Sequence, residues 1–240
     1  MEKQKFIDWS YGQRAQMVKK NYAGEKIDPN EFFLSTTTHN PSLISVGPAG
    51  LNASVKGIGW LPKEEYLPEL LKRMQAHIAT YDKSRAQAYS KEGLRLMVEE
   101  FYSHPEKMDF NRFFSVEMAM DYNDSVPERQ GTVAHSYVNY SYNSQATAMF
   151  YQPPTISFEV RGKMVLHGKR GMKDEEMDLI QKIVNAQHDV YHAPNVARWH
   201  RRPVYEFRIE EVYDNSVPMN AFGKKIFSEI DPVTLYGKDD

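Results

Sequence analysis

The feature that most constrains the fold is a run of nine residues, 204–212, in which apolar and polar side chains alternate. Successive side chains of a β-strand point to opposite faces of a sheet, so this period of two predicts a strand with one buried face. The same alternation recurs in residues 114–120 and 156–160. We expect these runs to pair in an antiparallel sheet.

Helical periodicity is strongest between residues 63 and 102. Within the first half of this segment, apolar residues recur at the spacing of one helix face: Leu67, Leu70, Leu71, Met74 and Ile78. A second helix is predicted to begin at Ser90, which can cap it. Residues 174–191 predict another helix, whose first three residues place negative charge at the positive end of the helix dipole.

The remaining segments predict shorter elements. Residues 6–22 indicate a short helix. Residue types that favour strands predict further strands at 32–38, 43–46, 137–142 and 146–151. Strands and helices do not alternate strictly, which indicates an α+β fold. We predict an antiparallel sheet packed with helices, with the helical segment 63–102 before the main sheet. The chain is expected to form a single domain over residues 1–240, with a sub-boundary near 105–112.

Composition excludes several classes of protein. The chain has no cysteine, which excludes disulfides, thiolate metal sites and thiol nucleophiles. Its 30 basic and 32 acidic residues leave a formal net charge of −2, so we expect neither nucleic acid nor a membrane as a partner. No apolar run approaches the roughly 18 residues of a membrane span, and the N-terminus lacks the apolar stretch of a signal peptide. A cytoplasmic protein, or one assembled there, is therefore expected.

Three histidines are the candidate metal ligands. His188 and His192 lie four residues apart on a predicted helix and share one face. That spacing can bind zinc or iron, and His200 follows nearby. Asp189 stands where the metalloprotease motif has glutamate. A polar helix end that faces solvent or a neighbouring subunit is therefore the alternative interpretation.

A basic cluster, residues 198–202 with the sequence Arg-Trp-His-Arg-Arg, precedes the last predicted strand. Tryptophan and arginine dominate binding hot spots. We predict an interface with other subunits through four residues: Trp199, Arg201, Arg202 and Tyr205. A solvated loop is an equal alternative. Phosphate or single-stranded nucleic acid ranks below both, because the chain is nearly neutral overall.

The sequence carries no catalytic signature. Residues 57–62, Gly-Ile-Gly-Trp-Leu-Pro, lack the third glycine of a dinucleotide-binding loop. The acidic pair Glu210-Glu211 is adjacent in a predicted strand, so its two side chains point apart and do not form an acid–base pair. We therefore assign no catalytic residue and expect no cofactor, and a protein without enzymatic activity is favoured.

Residues 153–213 resemble the terminal part of contractile-phage tail-terminator or tail-completion proteins. The resemblance consists of a proline-led strand, an acid-started helix and a returning strand. It implies a structural assembly subunit of a phage tail or neck ring in the virion. Such a subunit would form a homo-oligomer and contact other structural subunits. This is the first function that we predict.

Two further segments resemble the pyridoxamine-phosphate-oxidase-like split barrel. They are residues 138–142 (Val-Asn-Tyr-Ser-Tyr) and 158–162 (Phe-Glu-Val-Arg-Gly). The resemblance implies an FMN-binding oxidoreductase, and the family's Arg/Lys and Ser/Thr pattern for the phosphate is missing here. FMN binding is the alternative function, and a histidine-based metalloenzyme is the second alternative.

Overall fold

The computed structural model describes residues 2–116, 134–168, 172–192, 202–217 and 222–229. Its helices are α1 (Glu2–Ile7), α2 (Gln13–Ala23), α3 (Pro29–Thr37), α4 (Leu67–Ile78), α5 (Ala86–Met97), α6 (His135–Tyr140) and α7 (Leu179–Tyr191). Its strands are β1 (Ser42–Gly47), β2 (Gly50–Val55), β3 (Arg112–Val116), β4 (Gln145–Gln152), β5 (Ile156–His167), β6 (Val204–Asp214) and β7 (Lys224–Ser228). The predicted α+β fold is confirmed, with its helical segment before the main sheet. Within these ranges, no helix is both long enough and apolar enough to cross a membrane.

The strands form one antiparallel sheet whose two ends meet. The strand order is β2-β1-β4-β5-β6-β3, and β7 pairs with β6. Beyond β2 the chain continues alongside β1, because the N–H groups of Lys56 and Ile58 donate to the carbonyls of Pro41 and His39. Gly59 then exchanges backbone hydrogen bonds of 2.8 and 2.9 Å with Phe114 of β3. This bridge closes the sheet on itself.

Aromatic rings dominate the core between the sheet and the helices. Phe113 of β3 stacks on Phe207 of β6 with ring centroids 4.6 Å apart. Phe6 of α1 is fully buried and meets Phe150 and Phe158 edge to face at 5.3 and 5.4 Å. Each such pair contributes roughly 0.5–1.5 kcal/mol beyond the burial of its area. The first helix is therefore an integral part of the core.

Helix α7 lies between two layers. It packs against α4 and α5 on one side and against β3 and β6 on the other. Gly93 of α5 permits the close approach, since a Cβ there would lie 2.5 Å from the carbonyl oxygen of Val190. The α5 helix begins at Ala86, four residues before the predicted start at Ser90.

Residues 32–38, predicted as a strand, lie mostly in α3, so this prediction is wrong. Asp28 caps the helix by accepting the N–H groups of Asn30 and Glu31, and Pro29 occupies its first turn. The hydroxyl of Ser35 then donates to the carbonyl oxygen of Phe32 at 2.8 Å. Local capping thus outweighs the strand preference of the aromatic and threonine residues.

The strand predicted at 137–142 is also wrong, because most of this segment forms α6. Asn139 fastens that helix to the β1–β2 hairpin. Its Nδ2 donates to Ser45 Oγ at 3.2 Å and to the Gly50 carbonyl at 2.8 Å, and its Oδ1 accepts the N–H of Ala49 at 2.9 Å. These contacts come from residues about 90 positions away. Farther along, β7 lies in the tail, where no regular element is predicted.

Gly162 bends β5 rather than ending it. The pairing of β5 with β6 shifts register between Arg161 and Gly162, which is the signature of a β-bulge. A Cβ on Gly162 would lie 1.9 Å from the carbonyl oxygen of Arg208. The strand therefore bends at Gly162 and continues, because its pairing with β6 runs on to His167.

We expect Gly162→Ala to lower the free energy of unfolding by about 1–3 kcal/mol, the usual cost of forcing extra volume into a packed site. Urea denaturation followed by circular dichroism measures the change. Gly12→Ala is the matched control, because the nearest atom to its added Cβ is 4.0 Å away and a helical alanine favours folding. Equal stability of the two variants would contradict the proposed backbone approach.

Candidate functional site

A pocket of about 640 Å³ lies beside the bridge that closes the sheet. Its walls come from α2, the turn after α3, the extension of β2, β3 and α7. The volume falls within the roughly 300–1,000 Å³ of small-molecule sites. Gly59 brings α7 close to the bridge, because a Cβ there would lie 3.2 Å from Oε1 of Gln187. The pocket lies where the extension of β2 and strand β3 separate beyond this bridge.

The lining combines basic groups with apolar walls. Arg14 and Lys56 supply the cations, and within the described part of the chain no carboxylate lines the pocket. The apolar and aromatic lining consists of Val55, Ile58, Tyr102, Phe114, Val116 and Val184. An apolar cavity whose described lining includes two basic side chains favours a ligand with a flat hydrophobic body and negative charge.

His39 lines this pocket as a neutral imidazole. Its Nδ1 lies 3.2 Å from the carbonyl oxygen of Ser35. A carbonyl only accepts, so Nδ1 carries the hydrogen and Nε2 presents a lone pair. Burial, assisted by the charge of Arg14, lowers the pKa of His39 to about 4. At neutral pH this histidine is therefore an acceptor or a ligand, not a cation.

His188 of α7 and His192, the residue directly after that helix, line the same pocket. Their ring centroids lie 4.6 Å apart. His188 Nδ1 is 3.2 Å from Oδ1 of Asp189. Burial, followed by the neighbouring His188, lowers the pKa of His192. Among the described residues no three His, Asp or Glu side chains are grouped to hold a metal, and His200 lies outside them. The metal assignment stays a prediction.

Two of the four predicted interface residues are interior side chains. Arg202 is 1% exposed, and its guanidinium donates to Oδ1 of Asn185 and of Asp189, each at 2.9 Å. Tyr205 is also 1% exposed and packs edge to face on Tyr140. Both stabilise the inside of the subunit. The other two, Trp199 and Arg201, lie outside the described residues, so a subunit interface at residues 198–202 stays a prediction.

The start of α7 is tied to the sheet by a histidine between two carboxylates. His167 of β5 places Nδ1 2.7 Å from Asp178 and Nε2 2.6 Å from the buried Glu206 of β6. Asp178 also caps α7 by accepting the N–H of Gln181 at 2.7 Å. Glu206 accepts further hydrogen bonds from Arg208 at 2.9 Å and from Arg112 at 3.3 Å. This network positions the helix that forms one wall of the pocket.

The network changes the pKa of both of its central members. Burial alone would lower the pKa of His167, but its hydrogen bonds to Glu206 and Asp178 outweigh burial and raise it. Burial would raise the pKa of Glu206, but hydrogen bonds from His167 and Arg208 lower it to about 2. Both residues are therefore charged at mildly acidic pH, and each stabilises the other.

Sequence reasoning missed the pocket because its basic groups come from separate segments. Arg14 lies in α2, His39 follows α3, and Lys56 follows β2. The signal in the sequence was the pair Gly57 and Gly59, because glycines in an extended segment are typical of places where another backbone or a ligand comes close. The partner of Arg202 was also readable in principle, since Asn185 and Asp189 share one face of a helix four residues apart.

Comparisons with known proteins bear on the predicted phage role. No protein-family model matches the chain, and a search of curated proteins found no match. The crystal structure of HupZ from Group A Streptococcus is 8% identical, with a TM-score of 0.38, and the match covers 80% of this chain and 95% of that one. A putative pyridoxamine 5'-phosphate oxidase from Listeria innocua is 10% identical, with a TM-score of 0.32, covering 78% and 98%.

Neither of these structures is a phage tail protein. The phage assignment is wrong. The strand–helix–strand pattern of residues 153–213 occurs in many α+β folds, and here β5 and β6 pair directly within a sheet that closes elsewhere. The predicted role as a tail or neck subunit of a virion, and the corresponding location, are corrected accordingly.

We expect His167→Gln to remove a pH-dependent part of the stability. A histidine whose pKa is raised on folding stabilises the protein fully below its unfolded pKa, near 6.5, and loses that contribution as pH rises through the folded value. The free energy of unfolding of the native chain, measured in urea from pH 5 to 9, should therefore exceed that of the variant most at pH 5. His104→Gln, at an exposed histidine, is the control. A constant difference across this range would contradict the raised pKa.

Proposed function

We propose that the protein binds FMN in the pocket beside the Gly59–Phe114 bridge. The observation that carries this proposal is the lining itself, which pairs Arg14 and Lys56 with apolar walls and contains no carboxylate among the described residues. An isoalloxazine ring is flat and largely apolar, while the ribityl phosphate is an anion. The chemical character of the pocket fits both parts.

Each part of the lining has a distinct task in this proposal. Phe114 and Val184 bury the ring and exclude water from it. Arg14 and Lys56 bind the phosphate, which replaces the phosphate-binding pattern missing from the sequence. The lone pair at His39 Nε2 accepts a ring N–H. When bound, the flavin would supply hydride or electron transfer, which makes an oxidoreductase the proposed class.

FMN titration tests this proposal, with tryptophan or flavin fluorescence as the readout. We expect Arg14→Gln and Lys56→Gln each to weaken FMN about tenfold or more, because a hydrogen bond to a charged group contributes roughly 1.5–3 kcal/mol. The same two variants should bind riboflavin, which lacks the phosphate, almost as tightly as the native chain does. Lys72→Gln, at an exposed position on α4, is the charge-matched control. A native chain that shows no saturable FMN binding, or Arg14→Gln and Lys56→Gln variants that bind FMN as tightly as Lys72→Gln, overturns the proposal.

His39 favours haem as a second candidate ligand. An imidazole that donates its Nδ1–H to a backbone carbonyl keeps a neutral Nε2, and the lone pair of this nitrogen would hold a haem iron. Arg14 and Lys56 would then bind the propionates. Adding hemin in the same titration distinguishes the two candidates. A Soret band that disappears in His39→Ala and persists in Lys72→Gln favours haem over FMN.

We also propose that two copies associate through the outer face of the β1–β2 hairpin. Val46, Leu51 and Val55 are 52%, 81% and 67% exposed, and Val46 pairs directly with Leu51. Residues 42–55 contain no charged side chain, although β2 stands at an edge of the strand order, where charges normally prevent pairing. Two copies of this hairpin can therefore come together without repulsion between like charges, and the contact would bury their exposed apolar side chains. Both features support a homodimer.

Native mass spectrometry over a concentration series tests this association. The native chain should be dimeric at micromolar concentration, and Leu51→Lys should shift it to monomer by placing like charges across the symmetric contact. Phe222→Lys is the matched control, since Phe222 is 83% exposed on the turn before β7. A monomeric native chain, or equal effects of the two variants, would contradict the hairpin interface.

A further inference from the structure

A second, much smaller cavity lies next to the pocket. Its volume is about 20 Å³, and its lining includes the buried residues Ser10, Tyr11 and Phe101. Five of its described lining residues, among them His39 and Gly59, also line the pocket. These shared residues separate the two cavities, so the small cavity lies in the core directly behind one wall of the pocket.

Two π-helical turns contribute to the small cavity. Residues Asp8–Gly12 form one of them between α1 and α2, and residues Val98–Tyr102 form the other directly after α5. The hydroxyl of Tyr11 in the first turn donates to the carbonyl oxygen of Phe101 in the second at 2.8 Å. Such turns are rare, and they often occur at functional sites. The first turn also contains Ser10, a polar residue of the cavity lining.

Ser10 is the first polar partner that the cavity offers. Its side chain belongs to a residue that is 1% exposed, and its hydroxyl has no hydrogen-bond partner among the described residues. Buried polar groups are nearly always bonded, either to protein or to ordered water. A polar molecule in the cavity would satisfy this hydroxyl.

His39 is the second polar partner. Its Nδ1 is occupied by the carbonyl oxygen of Ser35 at 3.2 Å, and no described residue donates to its Nε2. A neutral imidazole that carries its hydrogen on Nδ1 keeps a lone pair on Nε2. Because His39 lines both cavities, an acceptor lies in the wall between them.

The volume of the cavity decides the class of its ligand. One water molecule requires roughly 10–15 Å³ of such space, so about 20 Å³ admits one water and excludes larger polar molecules. Water both donates and accepts, and it needs at least two polar partners to bind in a protein interior. We propose that this cavity is a binding site for one water molecule, which hydrogen-bonds to the Ser10 hydroxyl and donates to Nε2 of His39.

The inference goes beyond the proposed function, because the site exists without a ligand in the pocket. A buried serine of a π-helical turn thereby determines, through one water, the hydrogen bonding of a histidine in the pocket wall. In the unliganded protein Nε2 accepts from this water. A ligand N–H or a haem iron that uses Nε2 replaces that hydrogen bond.

The sign of a stability change tests the site. If water satisfies the hydroxyl, Ser10→Ala removes a bonded group, and we expect the midpoint of urea denaturation to fall. Without the water, the variant removes an unsatisfied buried atom, and the midpoint should not fall. Ser35→Ala is the matched reference, since Ser35 is also a buried helical serine and its hydroxyl donates to the Phe32 carbonyl at 2.8 Å. The midpoint of Ser10→Ala, relative to native, should fall as that of Ser35→Ala does. An unchanged or raised midpoint in Ser10→Ala overturns the proposal.

Two direct observations complete the test. In protein with ¹⁵N-labelled histidine, a donor on the Nε2 lone pair moves that resonance upfield. Ser10→Val, whose added methyl group occupies the cavity, should therefore move the His39 Nε2 resonance downfield. A crystal structure of the native chain should place one water within about 3.2 Å of both Ser10 Oγ and His39 Nε2. An unmoved resonance in folded Ser10→Val, or the lack of a water that contacts both atoms, contradicts the site. If Ser10→Val does not fold, the crystal structure and Ser10→Ala decide.

Discussion

The backbone pair between Gly59 and Phe114 is the constraint on which the arrangement of the site depends. It joins the extension of β2 to β3 and so brings the two ends of the sheet together. A longer ladder would pair the two strands beyond Gly59 and fill the space between them. Because the pairing stops after this bridge, the sheet closes while leaving an opening at its seam. The pocket lies at that interruption.

Helix α7 completes the pocket, and ion pairs hold it at two points. At its start, Asp178 connects it through His167 to Glu206 in the sheet. Farther along, Asn185 and Asp189 bind Arg202 just before β6. Buried charges are costly unless their hydrogen bonds are satisfied, and removing one partner leaves the other uncompensated. These pairs therefore favour one position of the helix over its alternatives, which gives the pocket a defined wall.

The sequence predictions succeeded where the signal was local and failed where it was not. The alternation in β6 and β5, the short apolar run of β1 and the spacing of Leu67, Leu70 and Met74 in α4 each appear within a few residues. Most of residues 32–38 form a helix because the Asp28 cap stabilises the helical backbone more than the residue types favour a strand. Residues 137–140 formed a helix because Asn139 binds a hairpin about 90 residues away. No local pattern contains that contact.

The sequence by itself determined the α+β class, the absence of thiol chemistry and the positions of most strands, because periodicity and composition report which faces are buried. Only the tertiary structure decided which side chains are buried and which of them line the pocket. It buried Arg202 and Tyr205, which a linear reading placed at an interface, and it gathered Arg14, His39, Lys56 and His188 around one cavity. These residues come together because the sheet closes. They lie far apart along the chain, so no local sequence pattern predicts that they share a pocket.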